Sequence, residues 1–285
     1  MYISTEINSF AKLGDNRKII KLLKDVGFTA YDYSMFYGSL ADEVLYADNY
    51  IERAKAFRAY ADGIGLPCNQ AHAPFPTARK GDEEYNKKAF ADICRAIEVS
   101  GILGAKVCVV HPCNDYTAEE NAELYKRFEP IARKAGVKIG LENMWNWKSG
   151  AMHACAAACS QHDDFRKHLE LLPSDVFVAC LDIGHAEMAG LDTDAVRMIK
   201  TLNERLEPIH LHDNDCIHDN HALPYSLHID FEAVIAAMKE IGYMGDITLE
   251  SDTYVRKFPL ELYPQAASFM AAVANDFKEK ISKNK

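Results

Sequence analysis

Carboxylates and imidazoles stand where short apolar runs end: His72 after LPCNQA, His111 after AKVCVV, Glu142 after VKIGL, Asp182 after VFVACL and Glu250 after DITL. A further run carries His210 and His212 within IHLHDND. An ionised group at the end of a buried strand is costly unless a partner charge or a metal compensates it. Glu142, Asp182, His210 and Glu250 form a mixed oxygen and nitrogen donor set that suits manganese, cobalt, magnesium or zinc, and donor softness alone does not choose among them. Taken singly, a Glu after an apolar run caps the next helix or pairs with Arg. Recurrence at the same position of successive units is what points to one shared divalent-metal site. His212 lies on the same face as His210 but one step further out, and Asp213 turns away, so a packed or hydrogen-bonded role is expected for both.

These residues need a scaffold that brings many strand ends to one mouth. Short β-rich runs recur, each followed by a stretch with helical spacing and charged faces, and the count of such βα units reaches eight. Strands are expected around Ile3 and Tyr31 and at the six runs above. Helices are expected over 16–26, 49–64, 85–103, 119–135, 163–172, 194–205, 231–241 and 260–281. Gly27, Gly65, Gly104, Gly136 and Gly245 punctuate helix-to-strand turns. The fold class is therefore α/β, a single (β/α)8 TIM barrel, with one domain over residues 1–285. Two long irregular stretches, 143–162 and 213–228, follow strands and so belong to the C-terminal mouth, where barrel enzymes build their sites.

The 285 residues are 48% hydrophobic, enough for one large core, and the net charge of −10 supplies no basic field for nucleic acid or acidic lipid. No run approaches membrane-spanning length, and MYISTEINSF lacks the basic and apolar regions of a secretory signal, so a cytoplasmic protein is expected. The eight cysteines lack paired CxxC spacing and read as buried free thiols. No Walker or GxGxxG loop is present, so a nucleotide cofactor is not expected. The oligomeric state is left open, a homo-oligomer being compatible. The lysine-rich end KEKISKNK reads as a fraying helix end.

The phrases QAHAPF, VVHP, GLENMW, ACLDIGHAEMAG, IHLHDND and TLES, in this order over almost the whole chain, resemble the xylose-isomerase-like barrel superfamily. The likeness extends to its sugar isomerase/epimerase branch and its AP-endonuclease branch. The first implies a metal-dependent isomerase or epimerase of carbohydrate metabolism acting on a small sugar. Its metal is held by the residues matching Glu142, Asp182, His210 and Glu250. The two glutamates remove and return a proton next to a carbonyl, through an enediolate, and His185 hydrogen-bonds a substrate oxygen. His72, His111, Trp145, Asp219 and His221 are expected to serve the substrate.

Departures from that branch are Lys148 and Cys216, where its ketose 3-epimerases place a substrate-binding Glu and Arg, and LPYSLHIDF, where relatives carry a glycine-rich turn. The same enolate chemistry also serves a metal-dependent lyase or dehydratase acting on an inositol or an oxidised glycoside. The AP-endonuclease branch implies a trinuclear zinc phosphodiesterase, and its nine ligand positions match His72, His111, Glu142, Asp182, His185, His210, Asp219, His221 and Glu250. The loops, however, offer no dense Arg and Lys array for a phosphate backbone, and no nucleic-acid partner is expected.

Overall fold

A strand whose residues are all buried must be covered on both faces, and parallel βα units achieve this by closing into a cylinder under a layer of helices. The computed structural model describes residues 1–282 and has this form. Its strands are β1 (Ile3–Thr5), β2 (Tyr31–Ser34), β3 (Cys68–His72), β4 (Val107–Val109), β5 (Lys138–Glu142), β6 (Phe177–Asp182), β7 (Leu206–Leu211) and β8 (Asp246–Leu249). From β2 to β8 each pairs in parallel with the next, and β1 pairs in parallel with β8. The remaining seam, between β1 and β2, is held by the amides of Thr29 and Ala30 donating to the Ile3 carbonyl at 3.0 and 3.1 Å. A parallel bridge between Glu6 and Asp32 continues it.

The outer helices start and stop where the sequence dictates. Asp15 caps the helix Asn16–Val26 by accepting from the Arg17 amide at 2.7 Å, and Gly27 ends it at φ 106, a left-handed conformation that glycine adopts without a Cβ penalty. Ile19, Leu23, Ile93, Ile97, Met198 and Phe277 belong to the apolar core. The single helix expected over 119–135 is two, Ala118–Lys126 and Glu129–Ala135, with Pro130 in the first turn of the second. A proline there has no amide to continue the preceding ladder. The helix expected to end at 281 runs to Ser282. Residues 283–285, the last of the lysine-rich end, lie outside the described residues.

Both long irregular stretches cross the mouth, each pinned by one antiparallel bridge, Asn146 to Cys155 and Asp213 to Ala222. The Asp213 carboxylate accepts from the amides of Asn214, Leu227 and Ile229, the hydrogen-bonded role expected of it. All eight cysteines are free thiols, five of them buried. Among the described residues no helix is long and apolar enough to cross a membrane.

Candidate metal centre

β5 and β6 end on Glu142 and Asp182, His210 lies inside β7, and Glu250 follows β8 directly. Glu142, Asp182, His210 and Glu250 each place one donor atom within 4.8 Å of the others. His210 Nδ1 lies 3.4 Å from Glu142 Oε1 and 3.1 Å from Glu250 Oε1. Beneath it, His210 Nε2 meets the Gln70 amide at 2.8 Å and Cys180 Sγ at 3.2 Å, which turns Nδ1 toward the mouth. Asp182 Oδ2 and His210 Nδ1 are buried without a hydrogen-bond partner. Three buried carboxylates around orphaned donor atoms fit a divalent cation, because buried polar atoms are otherwise satisfied.

The two glutamates differ electrostatically. Burial would raise the Glu142 carboxyl, but His210 and His111 outweigh it and hold it well below the usual carboxylate range. Burial, reinforced by the charges of Glu142 and Glu6, pushes Glu250 well above that range.

His72, the last residue of β3, and His111, two residues beyond β4, approach the same Glu142: His111 Nε2 is 2.9 Å and His72 Nε2 3.9 Å from Oε2. Asp32, which no strand-end signal in the sequence marks, is fully buried on β2, and its Oδ2 lies 2.9 Å from His72 Nδ1 and also takes the Gln70 amide. His111 lies closer to solvent, beyond its strand rather than at its end, because the β4 ladder stops at Val109.

A separate group forms beside these. His185, His212, Asp219 and His221 also place donors within 4.8 Å of one another. His185 Nδ1–H donates to the Asn143 carbonyl at 2.9 Å, and its Nε2 faces Asp219 Oδ2 at 3.3 Å, so both ring nitrogens are engaged. His212 is in this group, not merely packed: its Nε2 lies 3.1 Å from Asp182 Oδ1 and 3.5 Å from Asp219 Oδ1. His221 sits at φ 44, a strained conformation for a residue with a side chain. Burial opposes its protonation, but Asp219 prevails and raises its pKa to about 9. Burial would likewise raise Asp219, and His185 with His221 hold it well below the usual range.

A cavity of about 520 Å³ opens over all of these residues except the deepest. Phe36, Phe75, Met144 and Trp145 give it an apolar wall, and the Trp145 indole donates to Asp219 Oδ2 at 3.3 Å. Glu6, from the end of β1, also lines it. The guanidinium at its rim, Arg256, is tied to Asp252 at 2.5 Å and to the Asn8 carbonyl at 3.2 Å. Trp147 is outside the cavity, exposed and stacked on His218. Lys148 is exposed and Cys216 half-buried. A cavity of about 580 Å³ lies elsewhere, between outer helices around Tyr50, Arg95 and Lys134, away from the strand ends.

Residues 20–273 match the family described as the xylose isomerase-like TIM barrel. The chain belongs to that family. It is 30% identical over 191 residues to the uncharacterized protein MJ1311 of Methanocaldococcus jannaschii, a match spanning 63% of each chain. Among solved structures, a D-tagatose 3-epimerase-like protein superposes with a TM-score of 0.76 at 21% identity, covering 99% of both chains. The IOLI protein, solved with a bound zinc atom, superposes with a TM-score of 0.73 at 16% identity, covering 100% of this chain and 99% of its own. At these identities the superpositions establish a shared fold.

Proposed function

We propose that this family member is a divalent-metal-dependent sugar isomerase or epimerase. The observation that carries the reading is the convergence of Glu142, Asp182, His210 and Glu250 beneath a cavity with an apolar and aromatic wall. When bound there, a divalent cation supplies Lewis-acid charge to the oxygens flanking the reacting carbon. The chain's own residues do the rest. Glu142 and Glu250 stand at the ends of non-adjacent strands, on different sides of His210, and one removes the proton next to the carbonyl while the other returns it. His72 and His111 line the cavity beside Glu142, and Trp145 offers an aromatic face to the apolar side of a sugar ring. A structure similar in fold is that of a D-tagatose 3-epimerase-like protein, which supports a ketose as the first substrate to test.

Seven of the nine positions of the nuclease pattern line this cavity and Asp182 and His210 lie beneath it, all within three metal-capable groups, so a metal-dependent phosphodiesterase is the second reading. The charge of the wall favours the first. Glu6 and Asp252 add to the central carboxylates, and the lining guanidinium is already paired. Phosphates need unpaired cations to replace their counterions. The deciding experiment strips the protein with chelator and assays a panel of free ketoses and an abasic DNA duplex after return of manganese, cobalt, magnesium or zinc. Metal-restored ketose interconversion supports the proposal; metal-restored duplex cleavage without it replaces the proposal with the second reading.

A further inference from the structure

We propose that Asn143, the residue after Glu142, is a positioning residue whose carboxamide splices the end of β6 onto β5 and so fixes Asp182 for cation binding. This rests on the proposed function for the role of the central group.

The paired register of β5 and β6 ends at Glu142 and Cys180, two residues short of Asp182. Beyond Glu142 the main chain leaves the ladder, and the Met144 amide goes to the Ala158 carbonyl at 3.2 Å. Asp182 therefore reaches the mouth without a main-chain neighbour on the β5 side. The Asn143 side chain takes the place of that neighbour. Its Nδ2 donates to the Asp182 carbonyl at 2.9 Å, and its Oδ1 accepts from the Asp182 amide at 2.7 Å. A carboxamide offers a donor and an acceptor side by side, so it closes both main-chain bonds at once. Asn143 is 1% exposed, and away from water such bonds are stronger.

The clamp acts on a donor that is otherwise already held. Asp182 Oδ1 accepts from the His185 amide at 2.7 Å and faces His212 Nε2 at 3.1 Å. Oδ2 is left as its buried oxygen without a partner. With the backbone and one oxygen pinned, the carboxylate has little freedom, and Oδ2 is the atom free to join Glu142, His210 and Glu250 around a cation. Donors held in place before binding lose less freedom when the ion arrives. Asn143 also gives its own carbonyl to His185 Nδ1–H at 2.9 Å, so one residue ties together the ends of β5 and β6 and the short turn that follows.

Asn121 supplies a control, because it makes the same pair of bonds elsewhere. It accepts from the Cys113 amide at 3.0 Å, donates to the Cys113 carbonyl at 3.2 Å and is fully buried, but Cys113 lies outside the central group.

The test uses the full chain, stripped of metal and dialysed to equilibrium against manganese, cobalt, magnesium or zinc without sugar. The cation counted is the one whose binding is lost in Glu142→Gln. Asn143→Ala and Asn143→Leu are compared with Asn121→Ala; leucine keeps the branched shape without either bond. Both Asn143 variants should weaken that cation by roughly 10–100-fold, as changes around a metal's ligands do, with the far-ultraviolet circular dichroism of the wild type. Asn121→Ala should melt earlier and bind the cation as the wild type does. Wild-type affinity in either folded Asn143 variant would overturn the assignment. So would equal weakening in Asn121→Ala, which makes the effect one of general stability, and so would failure of both Asn143 variants to fold, which makes Asn143 a folding residue only. A wild-type chain with no cation sensitive to Glu142→Gln contradicts the proposed function and this assignment together, whereas tight binding without sugar turnover contradicts the first alone.

Discussion

Gly184→Ala isolates the packing that places His212. Gly184 lies in the short helical turn between Asp182 and His185, and a Cβ built on it would sit 1.9 Å from His212 Cε1, 2.4 Å from Nε2 and 2.5 Å from Nδ1. Non-bonded carbons rest at about 3.5–4.0 Å, so the imidazole must retreat by roughly 1.5–2 Å. It has no space behind it. Its ring stacks on His221 with centroids 4.3 Å apart and planes 5° from parallel, and its Nε2 is 3.1 Å from Asp182 Oδ1. Overpacking of this kind costs about 1–3 kcal/mol, which lowers the melting temperature by several degrees in a chain of this size, at roughly 2–4 °C per kcal/mol. The assay is metal-restored turnover beside a thermal melt. Gly101→Ala is the control, because its Cβ would meet the Ala135 carbonyl at 2.5 Å, between outer helices and far from the donors. Both variants should melt early, and Gly184→Ala alone should lose turnover, because the displaced His212 presses on Asp182 of the central group. A Gly184→Ala protein with wild-type melting and wild-type turnover would refute the close approach on which this reasoning depends.

Glu142→Gln and Glu250→Gln should each reduce turnover by at least about 100-fold, the lower end of what positioned acid–base groups contribute, with the far-ultraviolet circular dichroism unchanged. Wild-type-like activity in either variant removes the proposed proton-transfer roles. Asp32→Asn keeps the shape of the group against His72 Nδ1 but removes its charge, and should lower activity about 10–100-fold through the orientation and basicity of that ring. Recovery in Asp32→Glu would indicate that the charge matters, whereas an unchanged rate in Asp32→Asn would show that His72 needs no such partner.

The barrel was legible because βα units repeat a short apolar run, a helical stretch and a glycine turn, and that rhythm survives local irregularity. Glu142 and Asp182 were legible for the same reason: each ends an apolar run, and each is the last residue of its strand. Asp32 was not. It sits between tyrosines in YDYS, and what it contacts, His72 and Gln70, lies on the neighbouring strand some 40 residues away. His212, placed by strand alternation on the face of His210 but further out, is fully buried with Nε2 3.1 Å from Asp182 Oδ1, in keeping with the packed or hydrogen-bonded role expected of it. The break in the expected helix over 119–135 was readable in principle from Pro130, but helical spacing on both sides of it concealed the stop.

The central claim is proton removal next to a carbonyl by carboxylates around a divalent cation, and solvent isotope exchange reads that step directly. Metal-restored protein incubated with a panel of free ketoses in deuterium oxide should place deuterium on the carbon next to the carbonyl of at least one sugar. The label should be absent after chelation and strongly diminished in Glu142→Gln. Conversion of a sugar with no solvent deuterium at that carbon, or wash-in that persists in folded Glu142→Gln, would contradict the account.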